Sequence, residues 1–181
     1  MRKKYRNILI AVFIIIAFLF LYLSNANYSQ QKKFKYVGAK VCATCHDDEK
    51  DSSYKIWEKS NHARAFVTLA TPRAFEQAEE AGVKGQPQES EKCLNCHIAG
   101  FGLDKSYFTD TYNKEEGITC EACHGPGSEY IDISIMEDKT KFLANGGIIP
   151  TEEHCLKCHG EPFFTFKEKF REIEHPIKKS K

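Results

Sequence analysis

One five-residue pattern, repeated four times, constrains this chain more than any other feature. The stretches CATCH, CLNCH, CEACH and CLKCH each hold two cysteines separated by two residues and followed directly by a histidine. Their residues are Cys42, Cys45 and His46; Cys93, Cys96 and His97; Cys120, Cys123 and His124; Cys155, Cys158 and His159. All eight cysteines of the 181-residue chain fall in these motifs. The repeat therefore indicates one kind of site, used four times.

The histidine after each cysteine pair indicates what the site binds. Paired cysteines at this spacing occur in zinc ribbons, redox pairs and covalent haem anchors. In C-x-x-C-H the two sulfurs form thioethers with haem, and the histidine becomes the proximal ligand of the iron. We therefore predict four covalently bound haems c. Structural zinc or a disulfide framework would also use eight cysteines, but neither explains the four histidines.

The N-terminus carries a membrane-export signal. A basic start, MRKKYR, precedes an unbroken apolar run over residues 8–23. The length of this run favours an uncleaved anchor over residues 7–24, with the rest of the chain outside the cytoplasm. Cleavage after the small residues that follow is the alternative, and it would leave a soluble periplasmic protein. We assign residues 1–27 to the anchor or signal, 28–40 to a tether and 41–181 to a haem domain.

The charge of the exported part argues against nucleic acid as a partner. Four of the 26 basic residues precede the apolar run, which leaves 22 against 25 acidic residues, a net charge of −3. Nucleic-acid binding needs a basic surface. Redox proteins with a basic docking face are the expected partners.

The fold class follows from the length of chain available to each haem. About 140 residues around four haems leave about 35 residues for each, too few for a large polypeptide core. We predict a compact, mostly α-helical domain with much irregular structure, behind one N-terminal membrane helix. Helices are predicted over residues 53–70, 73–81, 151–158 and 162–173. Loops are predicted over residues 84–91 and 145–150.

The histidine count predicts one incompletely coordinated iron. Besides the four motif histidines, the chain has only His62, His154 and His175. Four irons with two histidines each would need eight, and the chain has seven. Met136 is the one methionine beyond the first residue, and we interpret it as packing. In a helix His154 points away from His159, so we expect it to bind the iron of a neighbouring haem.

Three longer stretches, GITCEACHGPGSEY, KCLNCHIAGFG and WEKSNHARAF, resemble the multihaem cytochromes of the cytochrome c-554 type. The resemblance covers about residues 41–175. It implies a compact tetrahaem electron carrier in which three haems have two histidine ligands. It also implies that the haem of Cys93, Cys96 and His97 is five-coordinate.

Two functions of different class fit the sequence. An electron-transfer protein outside the cytoplasm accounts for four cofactors in one small domain without any acid, base or nucleophile constellation. A membrane-anchored quinol-oxidising tetrahaem cytochrome is a variant of this reading. A small reductase that acts on a nitrogen oxide at the open haem is the second function. We expect the electron carrier, with no catalytic residues.

Overall fold

The computed structural model describes residues 12–19, 33–48, 51–160 and 164–175. The chain divides into two compact units, Met1–Lys33 and Phe34–Lys181. In the first unit, residues 12–19 are helical and exposed. The rest of the predicted anchor and residues 28–32 of the tether lie outside the described residues. Within the described ranges, no helix combines the length and the apolar character needed to cross a bilayer.

The regular structure of the second unit is helical. Within the described ranges there is no strand, and one isolated parallel bridge joins Tyr36 to Phe108. The prediction of a compact, mostly helical domain with much irregular structure is confirmed. The α-helices in this unit are α1 (Ala39–His46), α2 (Ser53–Glu58), α3 (Ala65–Thr68), α4 (Pro72–Glu80), α5 (Glu91–His97), α6 (Cys120–His124), α7 (Ile133–Met136), α8 (Lys139–Ala144), α9 (Glu152–Leu156) and α10 (Phe166–Phe170).

The predicted helix over residues 53–70 is wrong, because the chain leaves the helix between α2 and α3. The backbone N–H of Ser60 bonds the carbonyl of Trp57, three residues back, which tightens the end of α2. The guanidinium of Arg64 donates to the Lys59 carbonyl at 3.0 Å and to Asn61 Oδ1 at 2.9 Å. These local bonds stabilise a turn where the apolar spacing predicted a continuous helix.

The other helix predictions agree better with the structure. Helix α4 lies one residue earlier than the helix predicted over residues 73–81. Thr71 is its N-cap, and Pro72 occupies its first position. Helices α9 and α10 lie inside the predicted 151–158 and 162–173 but are shorter. Residues 161–163 lie outside the described residues. The predicted loop over 84–91 holds a short 3₁₀ helix, Pro87–Glu89.

The buried apolar core is small. Among the described residues it holds five small and four large apolar side chains: Val37, Ala39, Ala65, Phe66, Leu69, Ala78, Ala99, Tyr130 and Phe142. Each motif cysteine also lies at least partly open to its surroundings. Such a core contributes little hydrophobic stabilisation by itself, so the domain depends on additional apolar groups to cover its interior.

A short extended segment, residues 34–38, joins distant parts of the domain. The backbone N–H of Tyr36 donates to the Tyr107 carbonyl at 2.8 Å, and the Thr109 N–H donates to the Tyr36 carbonyl at 3.0 Å. The Thr111 hydroxyl donates to the Val37 carbonyl at 2.7 Å. The segment is therefore held by residues more than 70 positions away, just before α1 presents the first motif.

Candidate haem sites

Helical geometry brings the three functional residues of each motif together. In C-x-x-C-H the cysteines and the histidine stand at positions i, i+3 and i+4, which share one face of an α-helix. Helices α1, α5 and α6 each contain a complete motif and end at its histidine. Helix α9 ends at Leu156, but the His159 N–H still bonds the Cys155 carbonyl at 2.9 Å. The fourth motif thus keeps the same local turn.

The cysteines are available for bonding to a porphyrin. All eight lie in described residues and are free thiols, so each sulfur stands in for the thioether sulfur of a haem attachment. Among the described residues, no group of three or more His, Cys, Asp or Glu side chains is arranged to hold a metal ion directly. A cysteine pair and one imidazole on a helix face match the chemistry of covalent haem attachment.

Two motif histidines are oriented through their Nδ1 atoms. His46 Nδ1 donates to the buried carboxylate of Asp51 over 2.7 Å, and His97 Nδ1 donates to the Ala65 carbonyl over 2.6 Å. Although burial acts to raise the pKa of Asp51, bonds from Ser53 and His46 lower it overall. With Nδ1 engaged in this way, Nε2 is the nitrogen left to bind iron.

Two of the three additional histidines lie opposite motif histidines. The ring centres of His62 and His159 are 5.9 Å apart, and those of His124 and His175 are 5.7 Å apart. Two imidazoles that bind one metal through Nε2 hold their ring centres about 6 Å apart, given a metal–nitrogen bond of about 2 Å. Both pairs therefore leave the space that one iron needs.

The position of His62 is set by a close backbone contact. The Ile118 N–H donates to the His62 carbonyl at 3.0 Å. Gly117 precedes this contact with φ of +71°, and a Cβ there would lie 2.6 Å from the same carbonyl oxygen. Only glycine permits this approach. Burial lowers the pKa of His62, and the charge of His159 lowers it further, which favours the neutral imidazole that binds a metal.

Neither His154 nor Met136 has a described contact that assigns its role. His154 Nδ1 lies 3.0 Å from the Thr151 hydroxyl, which leaves its Nε2 available. Met136 is the last residue of α7 and is partly buried. Their predicted roles, ligand and packing residue, stay predictions.

Cysteines of different motifs influence one another's pKa. The interaction between the Cys42 and Cys120 thiols raises the pKa of Cys42 and lowers that of Cys120. Burial and then the neighbouring Cys155 raise the pKa of Cys123 to about 11. Burial and a hydrogen bond with Cys96 raise the pKa of Cys158. Helix α1 contacts α6, so the first motif adjoins the third.

A cavity of about 450 Å³ lies beside the second motif. Cys93, Cys96 and His97 form part of its wall, and residues of α3 and α4 with their flanking turns form much of the rest. As far as the structure describes this part of the chain, His97 is the one histidine in that wall, and no methionine lines it.

A buried carboxylate that the sequence did not reveal supports the third motif. Glu121, between Cys120 and Cys123, is 1% exposed. Its oxygens accept hydrogen bonds from the backbone N–H groups of Val37, Gly38 and Gly127 at 2.7–3.1 Å. Burial raises the pKa of Glu121, and the three N–H donors oppose that increase. The carboxylate ties α6 to the 34–38 segment.

Comparison with known proteins places these sites in a class. A family model described as "Cytochrome c554 and c-prime" matches residues 41–125, which include the first three motifs. A multiheme cytochrome, MtrA, from Shewanella baltica strain OS185 is 30% identical over 121 residues, or 67% of this chain. The chain spans about a third of that relative, 32% of its length. No solved structure matches the chain.

The motifs on their helices and these two similarities together support a multihaem c-type cytochrome. Covalently bound haem c is implied for this class. Electron transfer is the function that the class suggests. The fourth motif lies beyond the residues that the family model matches, so the fourth haem rests on the motif in the sequence.

Proposed function

We propose that the protein is a tetrahaem cytochrome c that transfers electrons between redox partners outside the cytoplasm. Four complete haem-attachment motifs in one small domain carry this proposal, and the contact of α1 with α6 brings the first motif next to the third. Haems bonded to adjacent sulfurs lie close together, because each thioether holds the porphyrin edge at its cysteine. Haems held at the first and third motifs would then be close enough for an electron to pass between them.

The axial ligands follow from the histidine pairs. His62 would serve an iron held by His159, and His175 an iron held by His124, because the ring separations suit one metal between them. His154 would then be the histidine left for an iron held by His46. An iron held by His97 would keep an open position, because the described residues of the adjacent wall include no second imidazole or thioether.

A haem count tests the proposal directly. A pyridine haemochrome assay combined with the intact mass should give four haems for each chain. A mass equal to the bare polypeptide, or to the polypeptide plus zinc, would overturn the proposal. Stopped-flow reduction of the four-haem protein, followed by oxidation with a second protein, should then show that all the haems exchange electrons.

We further propose that residues 7–24 retain the protein at the cytoplasmic membrane, with the haem domain on the periplasmic side. The basic N-terminus followed by a long apolar run supports this. Membrane fractionation of full-length protein should recover it in the pellet. A mature N-terminus at Asn27 would instead indicate a cleaved signal and a soluble periplasmic protein.

Docking to a basic redox partner is expected from the acidic charge of the exported part. Electron exchange with a basic partner should therefore slow as salt increases, because salt screens the attraction between exposed charges. A rate that does not depend on salt would contradict this part of the proposal.

A second candidate function is reduction of a nitrogen oxide at the open haem. The cavity beside His97 favours it, since a ligand needs both a free iron position and space. The reduced protein should bind carbon monoxide or nitric oxide at one haem. Binding without turnover of nitrite or nitric oxide favours the electron carrier, and turnover favours the reductase.

A further inference from the structure

The first motif has a charged partner that the second lacks. Asp51 is 3% exposed, and its Oδ2 accepts the hydrogen bond from His46 Nδ1. Its Oδ1 accepts from the Ser53 backbone N–H at 3.1 Å and from the Ser53 hydroxyl at 2.5 Å. The Asp51 N–H in turn donates to Asp48 Oδ1 at 2.7 Å. Asp51 is therefore fixed in position on both its backbone and its side chain.

The corresponding acceptor at the second motif is neutral. His97 Nδ1 donates to the Ala65 backbone carbonyl. A buried carboxylate attracts the shared proton more strongly than a carbonyl does, because bonds to a charged acceptor are about twice as strong. The imidazole then gains negative character and becomes a better electron donor to a bound metal. A more strongly donating axial ligand favours ferric over ferrous iron.

We propose that Asp51 is a positioning residue that lowers the reduction potential of the haem held by Cys42, Cys45 and His46. This inference rests on the proposed function, since it needs a haem at the first motif. Asp51 acts through His46 and accepts no electron itself. The iron takes up one electron on reduction, and the Nδ1 proton stays on the hydrogen bond.

The test is a redox titration of full-length haem-loaded protein, monitored by paramagnetic resonance, for Asp51→Asn. The amide keeps the shape but removes the charge. We expect the reduction equilibrium of one low-spin haem to become about tenfold more favourable, a rise of about 59 mV for one electron. The g-values of the same haem should also change.

Asp47→Asn is the matched control. Asp47 follows His46 directly, but its carboxylate is 36% exposed and pairs with Lys55 at 3.3 Å. Removing this charge should shift every potential by less than a third of the Asp51→Asn effect. Equal shifts in the two variants, or four unchanged potentials in Asp51→Asn, would overturn the inference.

Ser53→Ala keeps the inference falsifiable if Asp51→Asn does not retain four haems. Without the Ser53 hydroxyl, the Asp51 carboxylate accepts more strongly from His46, so the potential of the same haem should fall. A rise or no change would overturn the inference. Failure of the proposed function can be told apart from failure of this inference, because in the first case the wild-type protein itself would lack four haems or would not be reduced.

Discussion

The third and fourth motifs share one attachment pattern but lie in opposite surroundings. At the third motif, Glu121 is buried among backbone donors, and the buried Tyr130 hydroxyl donates to the Gly125 carbonyl at 2.5 Å. At the fourth motif the helix ends at Leu156, and Cys158 and His159 are exposed. The polypeptide builds the third site largely by itself.

The fourth site depends on fewer protein contacts. His159 stacks on Phe164 with ring centres 4.8 Å apart and lies opposite His62. A motif of five residues therefore specifies where haem is attached, but not how much of the surrounding site the protein provides. The difference predicts unequal responses to equivalent mutations at the two sites.

The largest difference should appear at the residue after the first cysteine of each motif, Glu121 or Leu156. Glu121→Ala leaves three buried backbone N–H groups without acceptors, so we expect the free energy of unfolding to fall by about 3 kcal/mol or more. Leu156 is 37% exposed, and Leu156→Ala should cost under about 1 kcal/mol. Urea unfolding of the haem-loaded variants measures both.

Glu121→Gln serves as a control for side-chain volume. It keeps one acceptor oxygen and should lose less stability than Glu121→Ala. Equal stability of Glu121→Ala and Leu156→Ala would show that the two motifs are equally supported.

An intermediate effect is expected at the opposing histidines. His175→Ala and His62→Ala should each convert one low-spin haem to high spin, of the third and fourth motif respectively, because each removes one axial ligand. Paramagnetic resonance of the oxidised proteins should show two low-spin haems in place of three. Met136→Leu is the matched control and should change no spin state. Four low-spin haems in the wild type would refute the open position at His97.

A smaller effect is expected for Tyr130→Phe at the third motif. The variant loses the hydroxyl bonds to the carbonyls of Gly125, at 2.5 Å, and His124, at 3.2 Å. We expect a loss of about 1 kcal/mol in the free energy of unfolding, the net value of a typical hydrogen bond. A variant as stable as the wild type in urea would mean that these bonds add nothing to the support of this motif.

The smallest effect should come from Phe164→Leu at the fourth motif. Leucine keeps apolar contact with His159 but removes the stacked ring. The stability should fall by about 0.5 kcal/mol, the low end of the range for aromatic pairs, because leucine keeps part of the contact. Urea unfolding is the measurement, with Phe166→Leu as a control because that ring packs on Phe170 instead.

The motifs were predictable from sequence because their chemistry depends on local spacing. The helical class was predictable as well, and so was helix α4, where Thr71 and Pro72 mark the start. The break between α2 and α3, inside the helix predicted over residues 53–70, was not predictable. The Arg64 side chain stabilises a turn there that apolar periodicity does not encode.

Long-range contacts explain most of what the sequence did not reveal. Glu121 bonds to residues 83 and 84 positions away, and no local pattern marks it as buried. Asp51 follows two other aspartates in the same acidic stretch, and only the folded chain distinguishes the one that meets His46. The pairing of His62 with His159 likewise depends on the tertiary fold.

The buried Glu121 also has a consequence for the order of maturation. The machinery that attaches haem must reach Cys120 and Cys123, which flank a side chain that is almost fully enclosed in the finished domain. Because the 34–38 segment bonds to the side chain between the two cysteines, we expect attachment at this motif to precede the closing of that segment. We expect this segment to be cut by protease in haem-free chains and to become protected once the third haem is attached. Protection before attachment would contradict that order.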